Sequence, residues 1–171
     1  MIAKSVWKLI EKLAYIFLKL IYKIAQKDLT ETKFESFMQF VKFGIVGLSN
    51  TIISYILYTS SLFLFRAMGW IPKVDYFVAQ IVAIVLSMLW SFYWNNRLVF
   101  TIEDGKKRNM WSALLKTYIS YSFTGLFLNS ILIVLWVQVC HMSEFIAPIL
   151  NLIISVPVNF LINKFWAFKS N

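Results

Sequence analysis

Four long runs of this chain, residues 43–65, 77–94, 118–139 and 145–162, contain no Asp, Glu, Lys, Arg or His. Each reaches the ~18–20 residues that an α-helix needs to cross a hydrocarbon core ~30 Å thick. In lipid every backbone N–H and C=O must be satisfied by protein, so such a run crosses either as a helix or as one strand of a closed barrel. Barrel strands alternate apolar and polar residues, and these runs do not. The expected fold is an all-α integral membrane protein with four transmembrane helices. Composition agrees: 60% of the residues are hydrophobic and 15% charged, more apolar surface than a soluble domain can bury.

The charges lie between and beyond the runs. Lys4, Lys8, Lys12, Lys19, Lys23, Lys27, Lys33 and Lys42 precede the first. Arg97, Lys106, Lys107, Arg108 and Lys116 stand around the connection between the second and third, and Lys164 and Lys169 close the chain. Of Lys and Arg, the other two connections hold only Arg66 and Lys73. The positive-inside rule therefore predicts a multi-pass cell-membrane protein with both termini and the middle loop in the cytoplasm. A net charge of +9 placed next to membrane helices fits anionic lipid, and no nucleic-acid partner is expected. Within residues 1–27, lysines interrupt the apolar run and no small-residue cleavage site follows, so a signal peptide is not expected. Apolar residues at 6, 9, 13, 16, 20 and 24 give a helical period. Residues 1–36 thus read as a cytoplasmic amphipathic interfacial segment, lysines toward lipid phosphates, and residues 37–171 as the four-helix domain. The single cysteine, Cys140, has no intrachain partner.

Residues 77–100, FVAQIVAIVLSMLWSFYWNNRLVF, align without a gap on residues 145–168, FIAPILNLIISVPVNFLINKFWAF. Phe77/Phe145, Ala79/Ala147, Ile81/Ile149, Ser87/Ser155, Phe92/Phe160, Asn95/Asn163 and Phe100/Phe168 are identical. Apolar composition alone produces some of these matches, but not an asparagine at the same place in both endings. A hairpin duplicated in tandem keeps its orientation in the membrane. The expected architecture is a tandem parallel repeat of two hairpins about an axis along the membrane normal, with Asn95–Arg97 and Asn163–Lys164 at one depth.

The stretch FVKFGIVGLSNTIISYILY and the paired endings SFYWNNRLVF and NFLINKFWAF resemble the GtrA-like family of small membrane proteins, over residues 37–170. The second ending carries the family pattern throughout, at Asn159, Phe160, Asn163, Lys164, Trp166 and Phe168. In the first, Ser91 replaces the leading Asn, Asn96 holds the basic place and Leu98 the Trp place, with Arg97 supplying a cation one residue late. The resemblance implies four transmembrane helices and a role in cell-surface polysaccharide glycosylation. It implies that a polyprenyl-phosphate-linked sugar moves from the inner to the outer leaflet, between glycosyltransferases acting before and after that step.

Beside such a ligand the polar residues divide as follows. Arg97, Lys116 and Lys164 are candidates to hold the phosphodiester, Arg97 with planar fork geometry; the plainer reading of each is a snorkelling interface residue. Asn95 and Asn163 complete that basic end. Asn50 and Asn129, inside the spans, are candidates for sugar contact or for interhelical hydrogen bonds, and Asn151 for an interhelical bond. Gly44 and Gly47, on one side of their helix, are expected to permit close helix packing or to leave a groove, packing being the preferred use. Pro157 is expected to kink the fourth helix beside Asn159. Glu103 and Asp104 are expected as loop salt-bridge partners of Arg97. No catalytic group, metal-ligand cluster or cofactor motif is expected.

Two functions compete. One is translocation of the lipid-linked sugar, in a lateral groove that leaves the prenyl tail in lipid or at a homo-oligomer interface. Moving one negative charge outward across an inside-negative membrane is favoured by ~2.3 kcal/mol per 100 mV, so a missing nucleotide motif is no objection. The other is a non-transporting subunit that anchors or activates a glycosyltransferase, docked through the N-terminal helix. A cation exporter is disfavoured because no run contains an acidic residue.

Overall fold

Helix is the secondary structure that satisfies the backbone of these apolar runs, and each run lies almost wholly within one. The computed structural model describes residues 2–70, 73–102, 106–143 and 145–169; Glu103 and Asp104, proposed as partners of Arg97, lie outside the described residues. The helices are α1 (Ile2–Ile24), α2 (Glu31–Ala67), α3 (Asp75–Val99), α4 (Met110–Val139) and α5 (Ala147–Ala167), the last four long and apolar enough to cross a membrane. No strand occurs among the described residues. The helices divide into two compact units, Met1–Lys42 and Phe43–Asn171, taken in turn here.

In the first unit α1 ends on Gln26 in the left-handed region (φ 52°). The Gln26 N–H donates to the Lys23 carbonyl and the Lys27 N–H to the Tyr22 carbonyl, a Schellman stop that satisfies carbonyls the helix end leaves open. α1 returns against the first turns of α2: Tyr15 meets Phe34 edge-on at 5.6 Å, and Lys42 lies over the Trp7 ring at 5.6 Å. Ala14, Leu18 and Met38 are buried there.

The second unit is organised by small residues at every fourth position. Along α3, Ala79, Ala83, Ser87, Ser91 and Asn95 are buried; along α5, Ala147, Asn151, Ser155, Asn159, Asn163 and Ala167 are. Spacing of four makes one ridge of a helix surface, and small side chains there let backbones approach without a hydrophobic driving force. These buried positions coincide in the register that aligns residues 77–100 with 145–168. α4 meets them with Ala113, Thr117, Ser120 and Thr124, all buried, while Ile81, Val85, Ile149 and Ile153 are exposed, as lipid-facing residues should be.

Both α3 and α5 close in a π-helical turn, Asn95–Val99 and Asn163–Ala167. The Phe100 N–H donates to the Asn95 carbonyl and the Phe168 N–H to the Asn163 carbonyl, both at 2.8 Å. The wider turns deliver four phenylalanines to one cluster. Phe92 stacks on Phe168 at 5.5 Å and 25°, Phe100 on Phe160 at 5.8 Å and 28°, and Phe100 on Phe168 at 4.7 Å. Exchanging the aligned residues of the two endings turns the first contact into the second and leaves the third unchanged. Phe43 of α2 joins at 5.5 Å from Phe160.

At the opposite end α2 stops on Gly69, whose φ of +64° suits a residue without a Cβ. The Gly69 N–H donates to Arg66 and the Trp70 N–H to Phe65. Arg66 then reaches Asp75 at 2.8 Å, a cation at the end of α2 beside an anion at the start of α3, as the helix dipoles favour.

Candidate functional site

The site lies where α3 and α5 finish and α4 begins, and it is built on two asparagine networks. Asn95 is wholly buried. Its Nδ2 donates to Ser91 Oγ at 3.1 Å and reaches the Tyr121 hydroxyl at 3.5 Å, while Ser91 and Tyr121 hydroxyls lie 3.1 Å apart. Asn163 is equally buried. Its Nδ2 donates to Ser120 Oγ at 3.1 Å, to the Asn159 carbonyl at 2.8 Å and to Asn159 Oδ1 at 2.9 Å; Ser120 Oγ donates to Asn159 Oδ1 at 2.8 Å. Neighbouring residues of α4 thus serve the two helix endings, Tyr121 that of α3 and Ser120 that of α5. The tighter second network follows from Asn159, whose amide oxygen stands where the α3 ending has only the Ser91 hydroxyl.

Beside these networks, between α2, α4 and α5, is a cavity of about 550 Å³. Gly44, Gly47 and Thr51 line it from α2, Tyr121, Thr124, Gly125 and Asn129 from α4, and Ser155 and Asn159 from α5. Tyr121 and Asn159 therefore belong both to the cavity wall and to the networks around Asn95 and Asn163. A Cβ placed on Gly44, Gly47 or Gly125 meets nothing within 4 Å. Of the two expected uses of Gly44 and Gly47, the preferred one, close packing, is corrected and the groove holds: among the described residues no neighbouring helix comes up to them. Pro157, with no N–H to give the carbonyl of Ile153, lies in α5 between cavity residues Val156 and Asn159.

The remaining candidates are dispersed around this core. Asn129 lines the cavity, and its Oδ1 is shut off from solvent without a hydrogen-bond partner among the described residues. Asn151 donates to the Asn129 backbone carbonyl at 3.1 Å, the expected interhelical bond. Asn50 lies outside the cavity, in a smaller cleft between α2 and α3. Arg97 is exposed and donates to the Tyr93 hydroxyl at 2.8 Å. Lys116 lies over the Trp166 ring at 5.7 Å, and Lys164 over Phe160 at 5.6 Å, so α4 and α5 each place an ammonium against aromatic residues of the last turns of α5.

One cation of this end was not singled out by sequence. Arg108 folds back from the loop, donating to Asn96 Oδ1 at 2.6 Å and to the Phe100 carbonyl at 2.8 Å, with its guanidinium 5.3 Å above the Phe168 ring. Asn96 holds the place where the second ending has Lys164, so the cation missing there is supplied from twelve residues away. Burial pulls the Arg108 pKa below its ordinary value, and as an arginine it keeps its charge. The signal in sequence was the asparagine at a basic position, which asks for a cation from elsewhere. Among the described residues no group of His, Cys, Asp and Glu is arranged to hold a metal ion.

The family model of the GtrA/DPMS transmembrane domain matches residues 42–168. The chain is also 34% identical, over 125 residues, to a protein of Pyrococcus furiosus named dolichol-phosphate mannosyltransferase. That alignment takes in 72% of this chain and 32% of the other protein, so the chain spans about a third of its relative's length.

Proposed function

This chain belongs to the GtrA/DPMS transmembrane-domain family, and from that premise we propose that it translocates a polyprenyl-phosphate-linked sugar from the inner to the outer leaflet for cell-surface polysaccharide glycosylation. The observation that carries the reading is the cavity of about 550 Å³ beside α2, within the ~300–1,000 Å³ range of ligand pockets. Its wall is mostly apolar, with Phe43, Leu48, Leu152 and Val156, and sets a few amides and hydroxyls among them, polar groups that are costly at the depth of apolar helices unless they face a partner, a ligand or a wet groove.

In this reading Arg97, Lys116 and Lys164 receive the phosphodiester at the cytoplasmic face. Asn95 and Asn163 are positioning residues: they hold Tyr121 and Asn159, which touch the head group in their place. The polyprenyl tail stays in lipid. The two hairpins act as a tandem parallel repeat about the phenylalanine cluster, a relation supported by the exchangeable Phe92–Phe168 and Phe100–Phe160 stacks. α1 lies on the inner leaflet as an amphipathic anchor to anionic lipid, and both termini are cytoplasmic. The partners are glycosyltransferases before and after the step. The protein itself catalyses no covalent reaction.

A second reading draws on the relative, in which a similar segment makes up about a third of a protein named as a transferase. A domain of this kind then anchors or activates a transferase without moving lipid. Liposomes holding the purified chain separate the two: translocation predicts that lipid-linked sugar sealed on the inner leaflet becomes accessible outside, and anchoring predicts that it does not.

A further inference from the structure

A second cleft, of about 320 Å³, opens between α2 and α3 and is lined by Asn50, Thr51, Ser54, Tyr55, Tyr58 and Gln80. Every one of these side chains bears an amide or a hydroxyl, and none is charged. On the translocation reading just given, we propose that this cleft is a separate, charge-free subsite for the sugar portion of the head group, occupied after the larger cavity.

Position argues for this first. Asn50 and Tyr58 stand eight residues apart, about 12 Å of helix at ~1.5 Å per residue, and they occupy the middle third of the uncharged run 43–65. A cluster of amides and hydroxyls at that depth is unfavourable in plain hydrocarbon.

Construction argues for it next. α2 and α3 are tied on both sides of the cleft, by Trp90 Nε1 donating to Ser49 Oγ at 3.2 Å and by Arg66 on Asp75 at 2.8 Å. The cleft between the ties is therefore held open before any ligand arrives, which lowers the cost of binding. Thr51 lines both this cleft and the larger cavity, so the two spaces adjoin. Its hydroxyl is turned back to the Gly47 carbonyl at 3.2 Å, leaving Ser54, Tyr55, Tyr58 and Gln80 as the groups that meet a ligand.

Chemistry then selects the ligand. Neutral donors and acceptors on two tyrosine rings, each apolar in body and polar at the tip, suit a hexose with its hydroxyl rim and C–H faces. They offer no cation to a phosphate. The phosphodiester accordingly stays with the basic end while the sugar advances, or follows later without a charged stop at mid-membrane.

The test uses the full chain in nanodiscs. Octyl glucoside, octyl mannoside and octyl N-acetylglucosaminide, below micelle formation, are the neutral probes, and farnesyl phosphate is the sugar-free anionic probe. Tyr58→Phe combined with Gln80→Leu weakens at least one octyl glycoside roughly tenfold, as the loss of two neutral hydrogen bonds predicts, and leaves farnesyl phosphate unchanged. Ser54→Val narrows the same cleft from α2 and gives the same ordering if the double variant fails to insert. Octyl glycosides that bind wild type and variants equally overturn the subsite. So does a variant whose particle mass falls from dimer to monomer, which assigns the cleft to a second copy of the chain. A wild type that binds an octyl glycoside in this cleft yet moves no lipid keeps the subsite and sinks translocation, whereas flipping at equal rates in wild type and variants sinks the subsite alone.

Discussion

Filling the cavity at Gly44 and Gly47 distinguishes a groove from a packing face. Each Gly→Leu change adds four carbons; at about the ~30 Å³ that a water occupies for each carbon, one substitution removes on the order of 120 Å³. The pair takes roughly 240 Å³ from a cavity of about 550 Å³. Because a Cβ at either site meets nothing within 4 Å, the added side chains enter open space. Replacing glycine inside a helix is also favourable, by up to ~1 kcal/mol per site. Gly44→Leu with Gly47→Leu should therefore leave expression and insertion intact, leave thermal stability in detergent unchanged or raised, and cut translocation of lipid-linked sugar in liposomes at least tenfold. If these glycines served close packing, the same pair would overpack an interface and destabilise by about 1–3 kcal/mol each. A less stable variant, or a stable one that translocates at the wild-type rate, refutes the reasoning.

Arg108→Ala removes two hydrogen bonds from a guanidinium and should cost about 1–2 kcal/mol, below the ~1.5–3 per charged bond of a buried site because Arg108 is only partly covered; Arg108→Lys, without the planar fork, should recover less than half in thermal unfolding. Asn163→Ala should destabilise more than Asn95→Ala, since the two N–H groups of Asn163 have three acceptors within 3.1 Å and those of Asn95 have one that close and one at 3.5 Å; a difference of about one hydrogen bond is worth on the order of 1 kcal/mol. Arg97→Ala and Lys116→Ala should abolish surface glycosylation at unchanged protein level, and wild-type glycosylation would reduce them to interface anchors. In intact cells the exposed Cys140 should react with an impermeant maleimide and a cysteine at position 107 should not; labelling at 107 would reverse the orientation.

The spans were legible because charge is too costly in hydrocarbon to be scattered, so uncharged runs mark them. Their ends were less so: α2 begins at Glu31, well before residue 43, since a helix does not stop where the lipid does. Asn95 and Asn163 stood out as a matched pair, but that both are sealed inside required knowing that Tyr121 and Ser120 meet them, and hydroxyls inside an apolar run carry no distinctive pattern. The π-helical turns were invisible, because passing a hydrogen bond to the fifth residue changes no composition. Arg108 was counted only as loop charge, since its bond to Asn96 depends on the path of the loop. Gly44 and Gly47 marked the right face but left packing and groove both open, with packing preferred, because a missing side chain reads alike whether a helix or a cavity lies opposite.

The central claim is that this chain by itself opens a path for a lipid-linked sugar. The direct measurement is reconstitution of the purified full chain, without any transferase, into liposomes holding a radiolabelled polyprenyl-phosphate sugar on both leaflets, followed by an impermeant probe of the sugar. The account predicts that the probe reaches nearly all of the lipid within minutes, against about half in protein-free vesicles, and that Gly44→Leu with Gly47→Leu returns the curve to the protein-free level. Wild-type protein that leaves the inner half protected contradicts it.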